Sequence, residues 1–442
     1  MGTDRTDIKN IMGLAIQPTN KLSIRSITRE NSAYFWGLIA VSIWIYAYFL
    51  PMGGFALKVS LFEAIVGDTS LYFFVMLITG SLIPLLFQGE RFVPASFYSV
   101  IISLACFIAV LFLGPTPASK IIMLIAVPCI AHIFISHVYA FFMVLNNSEK
   151  FYSMILVVLL PKVLMFLKPL LDRIQFIFYL VIAIIFLIMI FLAFSTYYIK
   201  THADTVPSFK KTRAPIKAYS LMPVIAIVFT LNDVVAPAVL GQMSGYMNNQ
   251  IEAFYFIGII LGIAVIIILQ GRFSMNICIM LNLAFAFLAI GFVVDIARFQ
   301  HPELILLSAL CFGIAYSIGM VNVYYLAGFM IKKFQSLYFY RTGFLLSTAC
   351  YLLASIFVKV FGQDGVFFTP IMMAVMSILM VIIYFFLSPF FIKMLYSGEW
   401  IDDTYREDIS QTSRLDARLK DYGLTPAEIE VCKLLLDGYT LR

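Results

Sequence analysis

The chain has 442 residues, of which 62% are hydrophobic and only 12% charged, and it carries a formal net charge of +6. A soluble domain holds about 25% charged residues, so this composition excludes an ordinary soluble globular protein and places the chain in the membrane class. The six cysteines show no C-x-x-C spacing, which argues against a disulfide framework or structural zinc; five of them lie in apolar runs, where a thiol behaves as a small hydrophobe.

Residues 1–33 form a polar, basic tail without the features of a cleavable signal. From Tyr34 onward, about twelve apolar runs approach the roughly 20 residues that a membrane helix needs. The first six are Tyr34–Met52, Ser70–Phe87, Pro94–Leu113, Lys120–Leu145, Phe151–Leu167 and Ile174–Tyr197. The last six are Ser220–Leu240, Ala253–Leu269, Met275–Ile296, Leu304–Ile331, Thr342–Val360 and Phe367–Met394. Lipid offers no hydrogen-bond partner to an exposed backbone, so runs of this length must be helical. The expected fold is an all-α membrane protein of about twelve transmembrane helices in two six-helix groups, 34–197 and 220–396, joined by a basic loop at 198–219.

Basic residues set the orientation, because Lys and Arg resist translocation. With the amino terminus inside, sixteen basic residues before the terminal tail fall on the inner side, Lys210, Lys211, Arg213 and Lys217 of the central loop among them. Six fall outside: Lys58, Lys120, Lys168, Arg173, Arg298 and Lys359. An even number of spans then leaves both termini in the cytoplasm of a cell, here read as bacterial, with the chain in its plasma membrane.

A short echo marks the two groups. Gln88-Gly89-Glu90-Arg91-Phe92 follows the second run, and Gln270-Gly271-Arg272-Phe273 follows the eighth. With the 6+6 layout this suggests parallel repeats. In span count, orientation and basic central loop, residues 33–396 resemble the major facilitator superfamily (MFS). The glycine- and arginine-rich signature that members usually carry after the second span survives here as Gly89, Glu90 and Arg91. The resemblance implies a central cavity lined by the first, fourth, seventh and tenth spans.

Ionisable groups inside the hydrocarbon are costly and default to functional candidates. Lys162 lies about 17 Å into the fifth span and Asp233 about 20 Å into the seventh, given the helical rise. Equal depths suggest a buried pair across the two groups, serving either as a ligand site or as a polar lock between them. His132, a candidate proton-linked residue, and Asn322 lie near mid-depth on the fourth and tenth spans. Trp44 and Tyr46 supply aromatic walls from the first. The ligand-binding candidates are therefore Lys162, Asp233, His132, Asn322, Tyr46 and Trp44. His137 is read as a packing residue, and Asp295 as a solvated group near the outer surface. No cofactor or metal is expected, and no enzyme motif of the G-x-x-x-x-G-K-[ST], H-E-x-x-H or G-x-S-x-G kind occurs.

After Gly398 the chain turns polar and acidic, and 397–423 reads as a linker. Thr425 is then an N-cap, Pro426 suits the first helical position, and Glu428 completes a capping box. Gly438 is the expected stop. The wording resembles the first helix of the LuxR-type helix-turn-helix: Leu424, Thr425, Pro426, Glu428, Glu430, Val431, Leu434, Leu435 and Gly438 occupy its characteristic positions, whereas Ile429 and Cys432 depart from it. The resemblance assigns 424–442 to the start of a DNA-binding module, with Thr425, Pro426, Glu428, Val431, Leu434, Leu435 and Gly438 as its first-helix residues. The second helix of such a motif carries the base contacts. Only Tyr439–Arg442 follows here, so this chain is not expected to bind DNA by itself, although the complete module is. The sequence thus favours a membrane-embedded LuxR-family regulator, in which a small molecule bound by the bundle is reported to DNA. The alternative is an MFS-type secondary transporter of a small solute with a regulatory tail. Membrane lipid is the remaining expected partner.

Overall fold

The structure is a computed structural model that describes residues 27, 31–43, 45, 70–86, 93–145, 147–171, 190–198, 201, 216–241, 248–271, 277–298, 300–334, 336–361, 368–395 and 425–436. Trp44, Tyr46 and Gly438 lie outside these residues, as do the linker and most of the central loop. The described chain is helical: α1 Ser32–Ile43, α2 Ser70–Leu86, α3 Ser96–Leu113, α4 Pro117–Val144 and α5 Asn147–Leu171, with α6 over residues 190–198. A short turn at Ile216–Tyr219 leads into α7, which runs through Leu221–Thr230, Leu231–Val235 and Ala236–Gly241. Then come α8 Asn248–Gly271, α9 Ile277–Ala297, α10 Leu304–Phe334, α11 Leu337–Phe361, α12 Phe368–Leu395 and a terminal α13 Pro426–Leu436. Among the described residues, α4, α7, α8, α9, α10 and α12 each contain a segment long and apolar enough to cross a membrane, and α1, α2 and α3 contribute shorter apolar helices. The protein is a multi-pass, all-α membrane protein.

The outward surfaces are apolar. Phe385 and Phe386 on α12, Leu353 on α11 and Ile121 on α4 are exposed, as lipid-facing side chains should be. Helix ends are set by local chemistry. Gly114 closes α3 at φ 61°, a left-handed conformation that glycine adopts without penalty. Thr116 then caps α4, its Oγ1 accepting from Ser119 N–H at 3.4 Å, and Pro117 takes the first helical position. So tight a link makes α3 and α4 antiparallel neighbours.

Several helices outrun the apolar runs that announce them. α5 starts at Asn147 rather than Phe151, which places Glu149 and Lys150 in its first turn, both buried. There Asn31 Nδ2 donates to Glu149 Oε2 at 2.9 Å, tying α1 to α5. Asp295 departs from its expected solvated setting. It is 0% exposed and pairs at 2.9 Å with Arg298, itself 1% exposed, one turn along the end of α9. Burying a carboxylate demands such a partner.

Small residues control how closely helices approach. An ideal Cβ at Gly258 of α8 would lie 2.2 Å from the Leu310 carbonyl of α10, and one at Gly313 of α10 would lie 2.1 Å from the Tyr255 carbonyl of α8. With Gly262 facing Ile314 and Ser317, the two helices cross backbone to backbone, the small-xxx-small geometry of membrane helices. The first six and last six helices also meet through aromatic pairs. Phe166 of α5 stacks on Phe256 of α8 with centroids 4.7 Å apart, and Phe74 of α2 meets Tyr351 of α11 edge-on at 5.2 Å. Since successive spans alternate in direction, both pairs lie toward the end of the bundle where α2 and α8 begin and α5 and α11 finish.

Candidate functional site

Lys162 directly follows Pro161 in α5, and Asp233 lies one turn before Pro237 in α7. Proline has no N–H and its ring clashes with the carbonyl four residues back. Pro161 thus denies α5 the bond to the Val157 carbonyl, just before Lys162. Pro237 denies α7 the bond to the Asp233 carbonyl. Just upstream, the backbone of Leu231–Val235 widens into a π turn, with Ala236 N–H reaching back to the Leu231 carbonyl. Such turns recur at functional sites because they reorient side chains that a regular helix would bury in packing.

Asn232 and Asp233 occupy this widened turn and are 1% and 3% exposed. Asn232 Nδ2 donates back to the Val228 carbonyl at 2.9 Å. Among the described residues, its Oδ1 and both oxygens of Asp233 have no hydrogen-bond partner. Gly319 of α10 allows the close approach here, since a Cβ on it would lie 2.7 Å from Asn232 Nδ2. One turn further along α10, Asn322 is buried; its Nδ2 donates to the Ile318 carbonyl, and its Oδ1 has no partner among the described residues.

Lys162 reaches this place from the other six-helix group. It is buried, and its Nζ lies 4.5 Å from the ring centroid of Tyr316 on α10, a cation–π contact. Tyr255 of α8 packs beside Tyr316 with centroids 6.1 Å apart. Asp233 lies within electrostatic range of Lys162, Tyr255 and Tyr316. One ammonium, one carboxylate and two phenol rings therefore meet from α5, α7, α8 and α10, with Asn232 next to the carboxylate in the chain and Asn322 one turn beyond Gly319 on α10.

The other expected residues lie elsewhere. His132 faces α3, with Nδ1 2.8 Å from Ser99 Oγ. His137 bridges α4 and α6 as a packing residue, Nδ1 at 2.8 Å from the Ile133 carbonyl and Nε2 at 3.3 Å from Ser195 Oγ. Sequence reasoning missed Tyr316, Tyr255 and Asn232. The Asn-Asp pair in an apolar run, four residues before Pro237, was a usable signal for the last; two tyrosines among 24 offered none.

In α13, Thr425 Oγ1 accepts from Glu428 N–H at 3.4 Å, while Thr425 N–H and Oγ1–H donate to Glu428 Oε2 at 2.8 and 2.7 Å. The reciprocal capping box is therefore formed. Pro426 occupies the first helical position, Val431, Leu434 and Leu435 lie within the helix, and Ile429 is its buried residue.

No protein-family profile matches the sequence, and no curated relative does. Solved structures do match. A bacterial homologue of the iron transporter ferroportin, in an outward-facing state, aligns with a TM-score of 0.53 at 10% identity, over 82% of this chain and 100% of its own. The human organic anion transporter MFSD10 (TETRAN) aligns with a TM-score of 0.54 at 12% identity, over 81% and 100%. The bundle has the MFS-like fold of these structures. At these identities the likeness is one of fold, and that fold supplies the frame in which α5, α7, α8 and α10 meet.

Proposed function

We propose that the MFS bundle binds a small charged solute between its two six-helix groups, at Lys162, Asp233 and Asn322, and moves it across a membrane by alternating access. The observation that carries this reading is the contact of Lys162 Nζ with Tyr316, because it spans the two groups within electrostatic range of the Asp233 oxygens, which have no hydrogen-bond partner among the described residues. A ligand that binds such a place in only one conformer shifts the balance between conformers. The matched fold, seen in an iron transporter homologue and an organic anion transporter, supports a carrier. The excess of inner basic residues supports a bacterial plasma membrane location with both termini in the cytoplasm. The test is uptake into proteoliposomes of a solute that raises the melting temperature of the purified protein. Uptake should disappear in Asp233→Asn. Stabilisation that persists unchanged in Asp233→Asn refutes this site.

A second reading rests on α13. The formed capping box at Thr425 and Glu428 supports the LuxR-type resemblance of 424–438. In that reading the same solute site is a sensor, and a complete DNA-binding module reports its occupancy in the cytoplasm. A promoter reporter driven by the complete gene product distinguishes the two: solute-dependent expression that Asp233→Asn abolishes, without uptake, selects the sensor.

A further inference from the structure

We propose that the solute is a primary alkylammonium, and that Lys162 is a tethered occupant of the position it takes. The proposal rests on the solute-binding reading above and assigns it a chemical class.

Acceptors predominate at the site. Asp233 Oδ1 and Oδ2, Asn232 Oδ1 and Asn322 Oδ1 are buried without a hydrogen-bond partner among the described residues. The amide nitrogens of both asparagines are already committed to the carbonyls one turn back, at Val228 and Ile318. Each asparagine has thus engaged one of its two N–H donors, while its amide oxygen is unengaged among the described residues. Pro237 withholds a further N–H from the Asp233 carbonyl. Broken membrane helices use such released carbonyls to hold cations. A carboxylate or phosphate entering here would face the Asp233 carboxylate, with Lys162 as its cationic partner among the described residues.

The aromatic wall narrows the class. A ring face attracts a cation electrostatically and packs against the carbons attached to it. Tyr316 already carries an alkylammonium, the end of Lys162, at 4.5 Å. A bare inorganic cation needs a full shell of oxygens. A primary amine needs acceptors for its N–H groups and an apolar wall for its chain, and the oxygens of Asp233 and Asn232 with the face of Tyr316 offer both. Lys162 brings its own ammonium to the Tyr316 ring face from α5, across the interface between the two groups. A free amine must displace it.

This gives a result opposite to that of a conventional binding lysine: removal of Lys162 tightens binding. The test measures, by isothermal titration at pH 7.5 on the purified full chain in nanodiscs, the binding of n-butylamine, of sodium butyrate (the carboxylate of similar length) and of sodium chloride. Butylamine should bind the wild-type protein, bind Lys162→Met at least tenfold more tightly, and show no binding to Asp233→Asn, with butyrate and sodium chloride silent throughout. Should Lys162→Met aggregate, Tyr316→Leu supplies the reading, with butylamine affinity expected to fall at least fivefold; an unchanged affinity overturns the proposal. Butyrate binding that is lost in Lys162→Met overturns the amine class and leaves the solute site standing. Asp233-dependent binding of sodium alone does the same. No Asp233-dependent binding of any of the three probes overturns both.

Discussion

Gly313→Ala adds a single methyl group at the crossing of α8 and α10. Judged as a helix substitution it should help, because replacing glycine by alanine at a compatible site stabilises by about 0.4–1 kcal/mol. The crossing reverses the sign. The new Cβ would sit 2.1 Å from the Tyr255 carbonyl oxygen, 2.9 Å from the Ile259 nitrogen and 3.0 Å from the Gly258 Cα. All three are backbone atoms, so no side chain can swing aside, and the helices must part by about 1 Å to reach ordinary contact. Overpacking of this kind costs about 1–3 kcal/mol, which outweighs the propensity gain. Parting α8 from α10 also pulls Tyr255 from Tyr316, so the substitution should weaken solute binding from a distance. Gly343→Ala on α11 is the matched control, since its Cβ would meet only Met222 Cε at 3.5 Å. Thermal unfolding of the purified variants should show Gly313→Ala melting well below the wild type and Gly343→Ala at or slightly above it. Equal melting temperatures for the two variants would refute the backbone-contact reasoning.

Pro237→Ala restores an N–H to α7 and should let the π turn at Leu231–Val235 relax to regular helix. The melting temperature rises while solute binding falls, and a variant that binds normally argues against a role for the distortion. Arg298→Met strands the buried carboxylate of Asp295 and should destabilise by about 3–5 kcal/mol, whereas the double change with Asp295→Leu recovers most of the loss in the same unfolding assay. If the double variant is no better than the single, the pair is not coupled as described. Glu428 is held below the usual glutamate range by hydrogen bonds from the Thr425 side chain and then its backbone N–H. A carboxyl depressed in the folded state contributes fully above its unfolded value, about 4.3, and its contribution is lost as pH falls through the lower folded value. Amide hydrogen exchange across 425–436 should therefore show α13 fraying as the medium is acidified below about pH 4, a response that Glu428→Ala removes.

Much of the architecture was written in the apolar runs, because a bilayer forces long hydrophobic segments into helices. Helix ends were not. Hydropathy marks where lipid begins, whereas the backbone stays helical into polar residues, as Asn147–Lys150 does at the start of α5. Lys162 and Asp233 were visible as ionisable residues in apolar surroundings. Their neighbours depended on which faces meet: Tyr316 and Tyr255 looked like packing, and His132 and Asn322, similar in depth, parted company when the histidine turned to Ser99. Asp295 and Arg298, three apart, carried a legible helical ion-pair spacing that their position near a span end obscured.

The two ring pairs, Phe74 with Tyr351 and Phe166 with Phe256, act as clasps at one mouth of the bundle. Each such pair contributes about 0.5–1.5 kcal/mol beyond its buried area. Together they amount to about 1–3 kcal/mol, enough to weight one resting conformer over its opposite by roughly five- to 150-fold. In the proposed carrier, access to Lys162 from that mouth would then be the disfavoured, transient state, and a solute arriving there would wait for both clasps to part.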